Sequence, residues 1–128
     1  SVANDGVMMQ PRYLYGVYDN AGQVKSVEPV SYRRVMDADT AAALTELMRG
    51  CVANGTASGA ALSGVAVCGK TGTAEVDNEE SHAWFVGFID SEQTPYAVAV
   101  VLENAGSGAS AAVPVARSVL QACLEQGS

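Results

Sequence analysis

Apolar residues recur at helical spacing over residues 37–54. They fall at i, i+3, i+4, i+7 and i+8, at Leu44, Leu47, Met48, Cys51 and Val52. Asp37 or Asp39 can cap the start of this helix, because a short carboxylate accepts a hydrogen bond from the first free main-chain N–H groups. Asn54-Gly55 is typical of a helix end. The pattern therefore predicts one helix over residues 37–54.

A second helical pattern covers residues 110–124. Its apolar stripe consists of Val113, Ala116, Leu120, Cys123 and Leu124. Ser110 can cap this helix, and Pro114 is tolerated in its first turn, where a missing main-chain N–H has no partner to lose. The chain is thus predicted to end in a helix over about residues 110–124.

Three stretches between these helices are typical of β-strands: residues 65–75, 82–90 and 96–103. The last contains the unbroken apolar run AVAVVL, which predicts burial on both of its faces. The connections are short enough for an antiparallel meander. Before the first helix, residues 13–18 and 23–27 are β-prone and flank the turn signal Asp19-Asn20-Ala21-Gly22, which predicts a hairpin.

The order of elements, hairpin, helix, three strands and helix, predicts an α+β fold. A three-stranded sheet has two faces to cover, and two helices cover only part of them. We therefore expect residues 1–128 to be a single incomplete domain, one segment of a larger α+β domain.

Composition excludes several classes of protein. The chain has 128 residues, which is too few for two full-size domains. Its hydrophobic share of 48% and charged share of 16% exclude intrinsic disorder. The net charge of −7 argues against nucleic-acid binding, which needs a basic surface for phosphates. The longest apolar run, Tyr96 to Leu102, is much shorter than the roughly 20 residues that span a bilayer.

The three cysteines, Cys51, Cys68 and Cys123, have no metal-binding spacing. Each lies among apolar residues, which favours buried thiols, although one disulfide and one free thiol would also fit. We expect neither a metal site nor a cofactor. The lone histidine, His82, has no evident nucleophile to serve, and we interpret it as structural.

Two glycine patterns resemble nucleotide-binding loops. Residues 64–71 fit G-x-x-x-x-G-K-[ST], but the four variable positions, Val-Ala-Val-Cys, favour a strand, and no helix signal follows Thr71. Residues 106–111 fit G-x-G-x-x-[GA], but the chain ends before a second strand and a ribose-binding acid could follow. A nucleotide-binding domain of the P-loop type therefore remains an alternative, and the second pattern favours a strand-to-helix connection.

A third pattern combines several motifs in order. Lys70-Thr71-Gly72-Thr73 is followed by Trp84-Phe85-Val86-Gly87-Phe88 and preceded by Gly55-Thr56-Ala57, and Ala3-Asn4-Asp5-Gly6 lies near the start. Together these motifs resemble the C-terminal part of the transpeptidase domain of class B penicillin-binding proteins. The resemblance covers nearly the whole chain and implies a partial fold of the β-lactamase and transpeptidase superfamily.

The resemblance implies a D,D-transpeptidase that cross-links peptidoglycan through a serine acyl-enzyme. The peptidoglycan stem peptide and β-lactams would be its ligands. Lys70 would supply positive charge, and Thr71 and Thr73 would supply hydroxyls to the ligand carboxylate. Gly72 would let the ligand approach, and the Thr73 main-chain N–H would be one donor of the oxyanion hole. In a regular pleat Lys70 and Thr73 point to opposite faces, so we expect a twist or a bulge to bring them together.

The family also needs Ser-x-x-Lys and Ser-x-Asn motifs, and neither string occurs in these 128 residues. We therefore expect the nucleophile to lie in an upstream part of the same domain and this chain alone to be inactive. A non-catalytic interaction module with the same fold is the alternative. The resemblance places the protein at the outer face of the bacterial cytoplasmic membrane, anchored by an upstream segment. The resemblance also implies that strands outside this chain lie next to residues 96–103, so the isolated chain would have a bare edge there and is expected to form a homodimer.

Overall fold

The computed structural model describes residues 1–126 and has an α+β architecture, as the sequence predicts. The chain forms two compact units, residues 1–42 and the part from Ala43 onward. The strands and helices follow in this order: β1 (Val7–Met9), β2 (Gly16–Asp19), β3 (Gly22–Ser26), β4 (Ser31–Arg34), α1 (Ala38–Asn54), β5 (Val67–Ala74), β6 (His82–Ile89), β7 (Ala97–Leu102) and α2 (Val113–Gln126).

The first unit contains two small antiparallel sheets. Strands β2 and β3 form the predicted hairpin, with Asp19 and Gly22 paired at its turn. Strands β1 and β4 pair with each other across the whole hairpin, and neither was predicted from the sequence. Both are short and mostly exposed, so they lack the alternation of apolar and polar residues that identifies a half-buried strand.

Helix α1 begins where the sequence predicts. Of the two candidate caps, Asp37 is the one used, because its carboxylate accepts a hydrogen bond from the Thr40 N–H at 2.7 Å. The helix ends at Asn54, and the Gly55 N–H donates to the Cys51 carbonyl at 3.0 Å. The predicted bounds of this helix are therefore confirmed to within one residue.

The second unit is built on an antiparallel sheet in the order β5-β6-β7. Its core lies between one face of this sheet and helix α2, and the central contacts are made by Phe85, Val100, Val113, Ala116 and Leu120. The Phe85 ring lies against Gly69 and Gly87, where a Cβ atom on either residue would collide with it. The two glycines thus make room for the largest fully buried side chain of the sheet.

The prediction that β7 is buried on both faces is wrong. Its apolar run is not buried on both faces, because Val100 is buried whereas Val101 is 46% exposed. Trp84 and Val86 of β6 are exposed at 41% and 44%, and Trp84 is paired with Val101. The run places apolar residues on both faces of the strand, but α2 covers only one face.

The start of α2 corrects a second prediction. A π-helical turn, Gly108–Ala112, precedes the helix, and its N-cap is Ser107 rather than Ser110. The Ser107 hydroxyl accepts a hydrogen bond from the Ser110 N–H at 3.3 Å, so Ser110 is the residue that is capped. Within residues 1–126, no helix is both long and apolar enough to cross a bilayer.

Candidate functional site

The Lys70-Thr71-Gly72-Thr73 motif lies on β5, an outer strand of the three-stranded sheet. Each of its residues is paired with β6, from Lys70 opposite Val86 to Thr73 opposite Ala83. On its other side β5 has no strand partner among residues 1–126. The motif therefore presents one free edge of main-chain donors and acceptors.

Of the two distortions that the sequence predicts for this motif, a twist or a bulge, the bulge is absent. The register between β5 and β6 runs unbroken from Val67 to Ala74, so Lys70 and Thr73 alternate between the two faces of the sheet. The Lys70 side chain compensates for pointing to the face opposite Thr73. Its Nζ atom donates to the Thr71 carbonyl at 2.7 Å, which brings the ammonium group from its own face to the main chain of the strand.

Lys70 carries the positive charge of the site. Its side chain is exposed, and within the described part of the chain it forms no salt bridge. By contrast, Arg49 contacts both Glu46 and Asp90. The ammonium of Lys70 is thus held by one neutral carbonyl, a partner that a carboxylate ligand can replace.

Gly72 lies in a crowded part of β5, close to both β6 and the turn before α2. On one side, an added Cβ atom would be 3.2 Å from the Trp84 Cβ. On the other side Gly108, in the π-helical turn, lies directly over the strand pair, and a Cβ atom there would be 2.5 Å from the Gly72 carbonyl oxygen. The glycine pattern of residues 106–111 therefore serves the packing of a helix start on β5.

Thr56 contacts the motif from outside the strand, although the sequence did not assign it a role. Its Oγ1 atom lies 2.7 Å from the Thr71 Oγ1, so the two hydroxyls share a hydrogen bond. Gly55-Thr56-Ala57 was recognised only as a family motif upstream of the strand. Because the two threonines are 15 residues apart, no spacing rule places them together.

The beginning of β5 is held by a buried thiol and an ion pair. Cys68 is fully buried, and burial raises the pKa of its thiol. Hydrogen bonds to Cys68 and to Asp90 raise the pKa of Arg49 above its ordinary value. All three cysteines are free thiols; Cys68 is buried as predicted, whereas Cys51 and Cys123 are partly exposed.

The structure contradicts the P-loop alternative. Gly64 has a φ of +81° in a turn, and residues 67–74 form a strand rather than a loop that opens a helix. A phosphate site of this type needs main-chain N–H groups converging at a helix start, and Lys70 lies in the middle of a strand instead.

His82 takes the structural role that the sequence indicated. Its Nδ1 atom accepts a hydrogen bond from the Asn104 N–H at 3.0 Å, and the Asn104 side chain donates to Glu79 at 2.6 Å. These contacts tie the acidic loop after β5 to the segment after β7. No group of three or more histidine, cysteine or acidic side chains is placed to hold a metal ion within residues 1–126.

Comparison with known proteins identifies relatives along the whole chain. Residues 1–121 match the family model described as the penicillin-binding protein transpeptidase domain. The peptidoglycan D,D-transpeptidase PbpA of Mycolicibacterium smegmatis is 32% identical over 138 aligned residues, which cover 100% of this chain and 28% of that protein. The chain thus spans less than a third of the length of this relative.

Solved structures give the same result for the fold. The D,D-transpeptidase domain of a peptidoglycan glycosyltransferase from Eggerthella lenta has a TM-score of 0.82 and 35% identity, over 98% of this chain and 30% of that one. An imipenem acyl-enzyme complex of penicillin-binding protein A from M. tuberculosis has a TM-score of 0.78 and 32% identity, over 98% of this chain and 28% of that one. The order and pairing of the elements are therefore those of a known domain.

Proposed function

This chain belongs to the penicillin-binding protein transpeptidase domain family, in its class B branch, and on that premise we propose that it forms the substrate-holding part of a D,D-transpeptidase. The substrate is the stem peptide of peptidoglycan, which ends in D-alanyl-D-alanine. The observation that carries the proposal is the position of Lys70 to Thr73 on a strand with a free edge. An extended peptide adds to such an edge through main-chain hydrogen bonds.

Each residue of the motif has a role in this proposal. The Lys70 ammonium leaves the Thr71 carbonyl and pairs with the terminal carboxylate of the peptide, while the Thr71 and Thr73 hydroxyls donate to that carboxylate. Gly72 leaves space for the peptide because it has no side chain. The Thr73 main-chain N–H stabilises the oxyanion that forms when the peptide carbonyl is attacked.

The chemistry itself is acyl transfer. A serine hydroxyl attacks the carbonyl of the penultimate D-alanine, the terminal D-alanine leaves, and an amine of a neighbouring stem peptide then takes the acyl group. We place that serine in polypeptide outside these 128 residues, because they contain no Ser-x-x-Lys and no Ser-x-Asn. The chain would thus be the C-terminal part of one larger domain, and β-lactams would bind at the same strand.

The location and the partners of the protein follow from this role. We propose that it acts on peptidoglycan at the outer face of the bacterial cytoplasmic membrane, held there by a segment outside this chain. Within the domain, its main partner would be the polypeptide that carries the serine. One edge of β7 has no strand partner within residues 1–126, and we propose that it pairs with another copy of the isolated chain.

The peptide-binding proposal is tested by nuclear magnetic resonance. The isotope-labelled chain is titrated with diacetyl-L-lysyl-D-alanyl-D-alanine, and we expect saturable shifts of the amide signals of residues 70–73. Lys70→Gln should weaken binding. Lys25→Gln removes the only other lysine, in the β2–β3 hairpin, and should leave binding unchanged. Shifts confined to other residues, or none at millimolar peptide, would contradict the proposal.

The position of the nucleophile is tested with fluorescent penicillin on a denaturing gel. The chain should give no covalent band, because loss of a catalytic serine lowers acyl transfer by about a millionfold. A labelled band would show that the serine lies within these 128 residues. If peptide binding is found and a longer polypeptide containing this sequence also fails to label, the non-catalytic module becomes the better description.

A further inference from the structure

We propose that Thr56 is a positioning residue, which orients the Thr71 hydroxyl toward the carboxylate of the bound peptide. This inference rests on the proposed function, since it concerns the same ligand. It arises from the 2.7 Å hydrogen bond between the two hydroxyls. Among the hydrogen bonds within residues 1–126, this is the one side-chain contact between the segment after α1 and the Lys70–Thr73 motif.

Thr56 sits on a firmly held piece of backbone. On one side, the Gly55 N–H donates to the Cys51 carbonyl at 3.0 Å, and on the other the Ala57 N–H donates to the same carbonyl at 3.3 Å. Ala57 itself is fully buried in the core. Because both neighbours are fixed, the Thr56 hydroxyl has a defined position rather than that of a mobile loop.

Thr71 is held in a different way, by its strand. It is paired with Phe85, a fully buried residue of β6, and its backbone cannot shift without disturbing that pair. A β-branched side chain has few allowed χ1 rotamers. The hydrogen bond to Thr56 selects one of them, so the Thr71 hydroxyl is placed before the ligand arrives.

The direction of the shared proton gives Thr56 its function. A hydroxyl group donates one hydrogen bond and accepts up to two. When Thr71 donates its proton to a carboxylate, Thr56 has to be the donor in the Thr56–Thr71 bond. The chain of donors then runs from Thr56 to Thr71 to the ligand, and each hydrogen bond polarises the next. A ligand without a negative charge gains little from this arrangement.

The test compares two peptides on four forms of the protein. Diacetyl-L-lysyl-D-alanyl-D-alanine and its C-terminal amide are titrated into the wild-type chain, Thr56→Val, Thr56→Ser and Thr71→Val, with binding followed by amide shifts. Loss of one neutral hydrogen bond should weaken binding of the carboxylate peptide by about 2- to 10-fold in Thr56→Val. Binding of the amide peptide should change much less, and Thr56→Ser should bind both peptides like the wild type.

Further variants separate this role from a general loss of structure. Thr56→Val should have no added effect in a chain that already carries Thr71→Val. Thr94→Val, between β6 and β7, is the matched control and should bind both peptides normally. Equal weakening of both peptides in Thr56→Val, or additive effects of the two valines, would overturn the inference while leaving the proposed function intact. Failure of the wild type to bind either peptide would overturn both.

Discussion

Gly108 lies so close to Gly72 that a methyl group on Gly108 would be 2.5 Å from the Gly72 carbonyl oxygen. The same methyl group would also meet the Trp84 carbonyl. The π-helical turn before α2 therefore rests on the main chain of both β5 and β6. This contact joins the helix start to the strand that we propose binds the peptide.

From this contact we predict that Gly108→Ala destabilises the chain. The methyl group meets main-chain atoms, which cannot rotate away, so β5 or the π-helical turn has to shift. The expected loss of stability is about 1–3 kcal/mol, typical of an overpacked site. Urea unfolding measures it, and the amide shifts of residues 70–73 report the movement of the strand. Unchanged stability and unchanged shifts would show that the packing is looser than described.

At Gly50, by contrast, we predict that an added methyl group stabilises the chain. It lies inside helix α1, and an added Cβ atom would have no neighbour within 4 Å. Glycine is less favourable than alanine in a helix interior by roughly 0.5–1 kcal/mol, because it loses more backbone freedom on folding. Gly50→Ala should therefore raise the stability of the chain by about that amount in urea unfolding. Gly108→Ala adds the same methyl group. A gain of stability in Gly50→Ala and a loss in Gly108→Ala would therefore distinguish the effect of helix propensity from that of packing.

The cap of α1 predicts a loss of stability in acid. Hydrogen bonds from the Thr40 main chain and side chain hold the pKa of Asp37 below its ordinary value. An aspartate whose pKa is lower in the folded state stabilises the fold at higher pH. That contribution falls as the pH drops below about 4, the ordinary pKa of the group, and continues to fall through the lower folded value.

Two variants isolate this contribution in thermal unfolding at a series of pH values. Asp37→Asn keeps a capping oxygen but cannot ionise, so its stability should depend less on acid than that of the wild type. Asp39→Asn, in the first turn of the same helix, also removes one negative charge but leaves the Asp37 cap in place. Equal acid dependence in the wild type and Asp37→Asn would contradict the prediction.

The edge of β7 that has no strand partner in the described part of the chain predicts association of the isolated chain. The strand Ala97–Leu102 is apolar throughout and carries no charged residue that would oppose pairing. Light scattering after size exclusion should show a mass that rises with concentration. Val101→Lys should reduce association without disturbing the core, because Val101 lies on the exposed face, unlike its buried neighbour Val100. A single monomeric mass at all concentrations would contradict this prediction.

Local patterns were sufficient for most of the fold. The helix over residues 37–54, the hairpin and the three-stranded meander are all found within a few residues of the predicted bounds. Each is specified by neighbours in sequence: a capping aspartate, a glycine at a turn, a run of β-type residues. The β1–β4 pair was missed because its strands are separated by the whole hairpin and expose most of their residues.

The residues of the motif and their position in a strand follow from local sequence, since Lys70 to Thr73 lie between apolar residues of β-type. Tertiary packing sets which atoms meet there. It brought the Thr56 hydroxyl to Thr71, set Gly108 against Gly72, and turned the Lys70 ammonium to the Thr71 carbonyl without a bulge. These contacts join residues from separate elements or depend on a side-chain rotamer, and packing fixes both once the chain has folded.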